Sequence, residues 1–206
     1  NIPTLHINHG LILGHPGGAY ADFQTQWFTG SAPVEKTFLA SAFAKANPQP
    51  NFVVTGMPSW DKYALVKGKD SLAQLNHRLG LPAEQKLITF FPTIRNTTYI
   101  NKDKQDPHLA GIESFINIAA ELAPQHPEFS FVIKDRPGND SFMAEIVEIQ
   151  RKKHGLNEQQ LVYAFDFAEP YVAFSTLTIA QRSTIASESI LCQVPHINLF
   201  SNIEDT

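Results

Sequence analysis

Short runs of β-branched, aromatic and aliphatic residues alternate along this chain with stretches of helical periodicity, and no other feature limits its fold so tightly. Strands separated by helices cannot pair as hairpins; they form a parallel sheet with helices on its faces, an α/β architecture. The rhythm is clearest in the second half. Asp70 or Ser71 can cap a helix whose Leu72, Leu75 and Leu79 share one face, and Gly80-Leu81-Pro82 ends it. Leu87–Phe91 then reads as a strand stopped by Pro92. Ile112, Phe115, Ile116, Ala119 and Leu122 fall at helical spacing, with Pro124 closing the segment before a strand at Phe129–Ile133. The pattern repeats: a helix capped by Asn139 or Asp140 and ended by Gly155, a strand at Leu161–Phe165, a short segment from Glu169 to Ser175, and a strand at Leu177–Ala180. A helix from about Thr184 and a strand at His196–Phe200 follow.

The first 56 residues show a similar rhythm, with strands expected at Thr4–Asn8, Asp22–Phe28 and Phe52–Val54 and a helix opened by Ser31. We read residues 1–56 as the last part of one Rossmann-like domain and residues 57–206 as a second. The turn-rich stretch from Gly56-Met57-Pro58 to Asp70 is the expected linker. A start without Met and an end soon after a buried strand suggest a piece of a longer chain.

Composition removes several function classes. With 206 residues, 43% of them hydrophobic, a substantial core is available. Sixteen Lys and Arg against twenty Asp and Glu leave a net charge of −4 and no dense basic run, so a nucleic-acid partner is not expected. Cys192 is the only cysteine, which forbids an intrachain disulfide and a Cys-based zinc site. No apolar run reaches the roughly 20 residues that span a bilayer. A cytoplasmic protein is expected, with any peripheral membrane association supplied by segments outside this one.

In a parallel sheet, ligands collect beyond the carboxyl ends of the strands. Ser183 and Thr184 sit where a strand gives way to a helix, so hydroxyls and unpaired backbone N–H groups together suit a phosphate. Glu188, about one turn on, suits a ribose diol. The same residues also fit a plain helix cap and a solvated first-turn acid. Lys134 and Arg136 follow an apolar strand and can neutralise a diphosphate, or stand as surface charges. Thr93 and Arg95 offer another hydroxyl and another cation after a strand, with the same ambiguity. Phe167 can cover a nucleobase or pack under a loop. His9, followed by Gly10, is placed to act as general base, although a single His is more often structural. His6 and His9 would point to opposite faces of a strand, no Asp-x-Asp motif is present, and Gly17-Gly18 lacks the spacing of a dinucleotide or P-loop fingerprint. No metal site and no bound cofactor are expected.

Taken in order, Ile7-Asn8-His9-Gly10, Val53-Val54-Thr55-Gly56-Met57-Pro58 with Asp61, Phe91-Pro92-Thr93-Ile94-Arg95, Ile133-Lys134-Asp135-Arg136-Pro137 and Ser183–Glu188 with Val194-Pro195 resemble the GT-B transferases of bacterial surface-polymer synthesis. The similarity is to the CDP-glycerol glycerophosphotransferase and capsule polysaccharide transferase group, and it covers nearly the whole chain. It implies that His9 activates the acceptor hydroxyl and that Gly10 lies beside the cleft. It further implies that Thr93, Arg95, Ser183 and Thr184 line a donor diphosphate site and that Glu188 holds the ribose. Relatives often carry Lys-x-His-Pro where this chain has Lys134-Asp135-Arg136-Pro137, and Arg cannot act as a base at neutral pH.

The resulting expectation is a metal-independent transferase that moves a sugar or polyol phosphate from a CDP-, UDP- or CMP-linked donor to a polysaccharide or polyol acceptor. Two rivals stand beside it: a nucleotide-sugar 2-epimerase of the same fold, and a non-catalytic nucleotide-binding or assembly module.

Overall fold

The computed structural model describes residues 5–7, 27–30, 51–56, 60–92, 107–136, 141–181 and 183–199. The chain forms two compact units, Asn1–Lys62 and Tyr63–Thr206. In the first, β1 (Leu5–Ile7), β2 (Trp27–Gly30) and β3 (Asn51–Val54) pair in parallel in that order. β2 runs on to Gly30, two residues beyond the expected strand end at Phe28; residues 22–26 and the helix expected from Ser31 lie outside the described residues.

The second unit carries a five-stranded sheet with every pairing parallel. Its strands are β4 (Lys86–Phe91), β5 (Phe129–Lys134), β6 (Leu161–Ala164), β7 (Leu177–Gln181) and β8 (His196–Leu199), in spatial order β6-β5-β4-β7-β8. Near-continuous burial along β4 and β5 means that both sheet faces are covered, as parallel sheets require. The helices are α1 (Asp61–Lys69), α2 (Leu72–Arg78), α3 (Pro107–Leu122), α4 (Ser141–Lys153), α5 (Glu169–Phe174) and α6 (Ile185–Leu191).

Local chemistry accounts for several boundaries. Ser71 caps α2 by accepting from the Gln74 N–H, and Gly80 takes φ +69° just past its end, a conformation that costs glycine nothing. Gly155 does the same after α4. The core lies between α3 and the sheet: Ile112, Phe115, Ile116 and Ala119 on one helical face meet Phe90, Phe131 and Ile133. Phe90 and Phe115 stack with centroids 5.0 Å apart.

Two stretches differ from expectation. Most of the anticipated linker is helix, α1, with Asp61 in its first turn and Lys67 and Lys69 in its last, charges that favour the helix dipole. Turn signals from Pro58 and Gly68 hide it in the sequence. The segment after β6 is also helical: α5 has Pro170 in its first turn, where a missing N–H is harmless.

Candidate functional site

The strand order reverses direction between β4 and β7, because the chain builds outward from β4 through β5 to β6 and then returns to β4's other side with β7 and β8. A crevice at the carboxyl end of such a switch point is where open α/β sheets bind ligands. Register sets which residues face it. Phe91 pairs with Ala180 and Phe90 with Ile133, so Lys134, Phe91 and Ala180 stand level at the sheet's carboxyl edge and Gln181 lies one step beyond. Gly111 in α3 makes room there, since a Cβ on it would come within 2.5 Å of the Gln181 side chain.

On the β7 side, Ser183 and Thr184 lead into α6. The Ser183 hydroxyl accepts the Ile185 N–H at 3.3 Å, a local bond of the capping kind. Thr184 occupies the N-cap position in helical backbone geometry, is exposed, and makes no side-chain cap hydrogen bond. α6 has seven residues, so what it offers an anion is its first N–H groups rather than a long macrodipole.

Glu188 is half-buried, and its Oε2 accepts a hydrogen bond from the hydroxyl of Tyr63, which is 2% exposed. Burial, then the bond to Glu188, pushes the Tyr63 phenol above the ordinary tyrosine range. It is therefore a fixed donor to the carboxylate. Four residues on along α1, Lys67 Nζ donates to the carbonyl of Cys192 at 2.8 Å, and Cys192, the C-cap of α6, is four residues beyond Glu188. Two helices are thus joined by two rungs at matched i, i+4 spacing. Burial raises the Cys192 thiol pKa, with Lys67 opposing.

On the β5 side the charges turn inward. Lys134 is 3% exposed; its ammonium donates to the carbonyl of Asp135 and lies 5.6 Å from the centroid of the Tyr171 ring. Burial lowers its pKa, while Asp166, Asp135 and Glu169 pull it back up. Asp135 is buried too, accepting the Arg136 N–H at 2.7 Å and the Tyr163 hydroxyl at 3.1 Å. Burial, then a hydrogen bond to Asp166, raises the Tyr171 phenol above its ordinary range. Arg136 itself is exposed.

Of the residues singled out in the sequence, Ser183, Thr184 and Glu188 share one segment at the switch point; Lys134, expected just after a strand, is instead the last residue of β5 on β4's other side, with Arg136 two residues beyond it. Phe167 is 75% exposed beyond β6, the far edge strand. His9, Gly10, Thr93 and Arg95 lie outside the described residues. Sequence reasoning missed Tyr63 altogether. The signal available was the i, i+4 pair Tyr63 and Lys67, readable only once α1 is known to be a helix. Among the described residues, no group of three or more His, Cys, Asp or Glu could hold a metal, and no helix is long and apolar enough to cross a membrane.

A family model described as CDP-Glycerol:Poly(glycerophosphate) glycerophosphotransferase matches residues 24–127. No curated protein matches the chain. Among solved structures it is similar to the UDP-GlcNAc 2-epimerase from Neisseria meningitidis bound to UDP-GlcNAc, at 17% identity and a TM-score of 0.61 over 98% of this chain and 54% of that one. It is similar to MnaA of S. aureus solved with UDP, at 13% identity and a TM-score of 0.59 over 97% of this chain and 52% of that one. The wall teichoic acid polymerase TagF gives 13% identity and a TM-score of 0.51 over 84% of this chain and 38% of that one. The chain spans about half the length of the first two of these structures and less of TagF. At such identities the likeness shows the fold, a GT-B type α/β architecture with a Rossmann-like parallel sheet.

Proposed function

Since the chain belongs to the CDP-glycerol:poly(glycerophosphate) glycerophosphotransferase family, we propose that it carries the donor-binding portion of an enzyme that passes a polyol phosphate from a nucleotide-activated donor to an acceptor hydroxyl in surface-polymer synthesis. The observation that carries the reading is the position of Ser183, Thr184 and Glu188 immediately beyond β7, at the switch point of a parallel sheet. In this reading residues 57–206 form the donor domain and residues 1–56 belong to the acceptor side.

The donor diphosphate rests on the Ser183 and Thr184 hydroxyls and the first N–H groups of α6, and the exposed Arg136 guanidinium can clamp it bidentately. Lys134, sealed under Tyr171, contributes positive potential through the wall of the site rather than by contact. The resemblance also assigns Thr93 and Arg95 to the diphosphate and sets Gly10 beside the cleft, while Phe167 is assigned to donor binding by its place after a strand. Glu188 accepts from the ribose diol. The acceptor oxygen attacks the glycerol-bearing phosphorus, the bond to the bridging oxygen breaks, and the nucleoside monophosphate leaves with the electron pair. His9 takes the acceptor proton. A glycosyl donor would instead be attacked at its anomeric carbon; the family match favours phosphorus. The structural likeness to 2-epimerases is a likeness of fold and gives that chemistry no separate support.

Calorimetric titration with CDP, CMP, UDP, UMP and GDP tests this, repeated on the double variant Ser183→Ala/Glu188→Ala. Selective binding of cytidine nucleotides that disappears in the double variant is the expected result. A folded chain that binds none of them, or binds equally well after the double substitution, overturns the donor site. Conversion of a UDP-sugar to its isomer without an acceptor would replace transfer by epimerisation.

A further inference from the structure

Glu188 is assigned above to the ribose, yet a glutamate on a seven-residue helix has three side-chain torsions and no intrinsic reason to hold its carboxylate in one place. The structure supplies one. Tyr63 reaches from α1 to Oε2 of Glu188 with a phenol that is almost wholly buried, so the donor cannot swing out to water. Lys67, on the same face of α1, ties the carbonyl of Cys192 at the C-cap of α6 and so joins the two helices without touching the carboxylate. Among the described residues, Oε1 of Glu188 accepts no hydrogen bond.

We propose that Tyr63 is the positioning residue for Glu188: by occupying Oε2 it orients the carboxylate so that Oε1 is presented to the ribose diol, and it thereby sets the preference of the site for ribonucleotides over deoxyribonucleotides. This rests on the assignment of Glu188 to the ribose. A diol reads a carboxylate through directional hydrogen bonds, whereas a site that merely tolerated the sugar would accept a ring lacking one hydroxyl nearly as well. Tyr63 touches neither sugar nor phosphate in this arrangement; it acts through the glutamate.

The experiment measures the dissociation constants of CDP and 2′-deoxy-CDP for the unaltered chain and for Tyr63→Phe, Glu188→Ala and Lys67→Met. The unaltered chain should favour CDP by about tenfold or more, as expected when a site built to bond a hydroxyl meets a ligand without it. Tyr63→Phe keeps the ring and its packing and should cut that ratio at least threefold, chiefly through weaker CDP binding. Lys67→Met, which loosens the same helix pair without touching the carboxylate, should leave the ratio unchanged. An unaltered ratio in Tyr63→Phe, with the ratio lost in Glu188→Ala, overturns the positioning role alone. No loss of the ratio in Glu188→Ala overturns the ribose assignment and the positioning role together. If Tyr63→Phe does not fold, the unaltered protein decides: the buried Tyr63 hydroxyl proton should move in the NMR spectrum when CDP is added and move less with 2′-deoxy-CDP. Equal shifts with both nucleotides, or none, count against it.

Discussion

The two corners of the sheet's carboxyl edge that flank β4 carry similar sequence signals and opposite structural solutions. At the end of β5, two charged residues fold inward and only Arg136 stays exposed: Lys134 and Asp135 are buried, bonded to the backbone and to Tyr163, and roofed by Tyr171. After β7, the polar groups stay within reach of solvent: Ser183 and Glu188 are half-buried and Thr184 is exposed. A buried ion must be matched by neighbours or it costs several kcal/mol, so Lys134 and Asp135 are satisfied internally and the β5 corner has only Arg136 left for a ligand. The β7 corner keeps hydrogen-bonding capacity in hand. One corner is wall; the other is seat.

Substitutions can break this contrast, beginning with the wall. Asp135→Ala removes the acceptor of the Arg136 N–H and the Tyr163 hydroxyl and strips Lys134 of a nearby anion. Urea unfolding should show a loss of about 3–5 kcal/mol, the usual result of removing one partner from a buried charged network. Nucleotide affinity per folded molecule should change far less. If affinity falls and stability does not, the roles of the two corners are reversed.

In the seat, Glu188→Gln should lower nucleotide affinity by about 1–1.5 kcal/mol, roughly tenfold, since a charged hydrogen bond to the ribose becomes a neutral one. The amide oxygen can still accept from Tyr63, so the unfolding free energy should move by less than about 0.5 kcal/mol. Calorimetry and urea unfolding on the same preparation separate the two quantities.

The wall also has a pH signature. Burial lowers the folded-state pKa of Lys134, so the unfolded chain binds more protons between that lowered value and the reference near 10.4, and stability attributable to this residue rises with pH through that window. Relative to Lys134→Met, the unaltered chain should therefore gain stability as the pH rises toward about 10 and lose that advantage as the pH falls. Tyr63 and Tyr171 have raised pKa values, so their contributions are complete below a pH of about 10 and do not confuse the comparison. A flat difference would mean that Lys134 is solvated.

The smallest effect expected is at Ser183→Ala, which removes one neutral hydroxyl from the seat and should weaken nucleotide binding by about 0.5–1.5 kcal/mol. Because the Ser183 hydroxyl also accepts the Ile185 N–H, a change in melting temperature without a change in affinity would make it a cap and nothing more.

Much of the fold was legible before any coordinates. Alternation of strand and helix patterns, Ser71 at a cap, and Gly80 and Gly155 at helix ends depend on the nearest few residues, and each kept its place in the structure. The position of Ser183, Thr184 and Glu188 at a strand-to-helix junction was legible for the same reason. Helix α1 was not, because Gly68 and the preceding Pro58 read as turn residues while its support comes from α6, more than a hundred residues away.

The sequence by itself therefore determined the α/β class, the order of its elements and the candidates beyond each strand, since periodicity and capping act over a turn or two of chain. Only the tertiary structure decided which candidates face outward. Lys134 and Glu188 are both charged residues near strand ends, but one lies under the Tyr171 ring and the other is held by Tyr63 from a distant helix. Burial and long-range hydrogen bonds set that difference, and they exist only once the sheet has brought β5, β7 and α1 together.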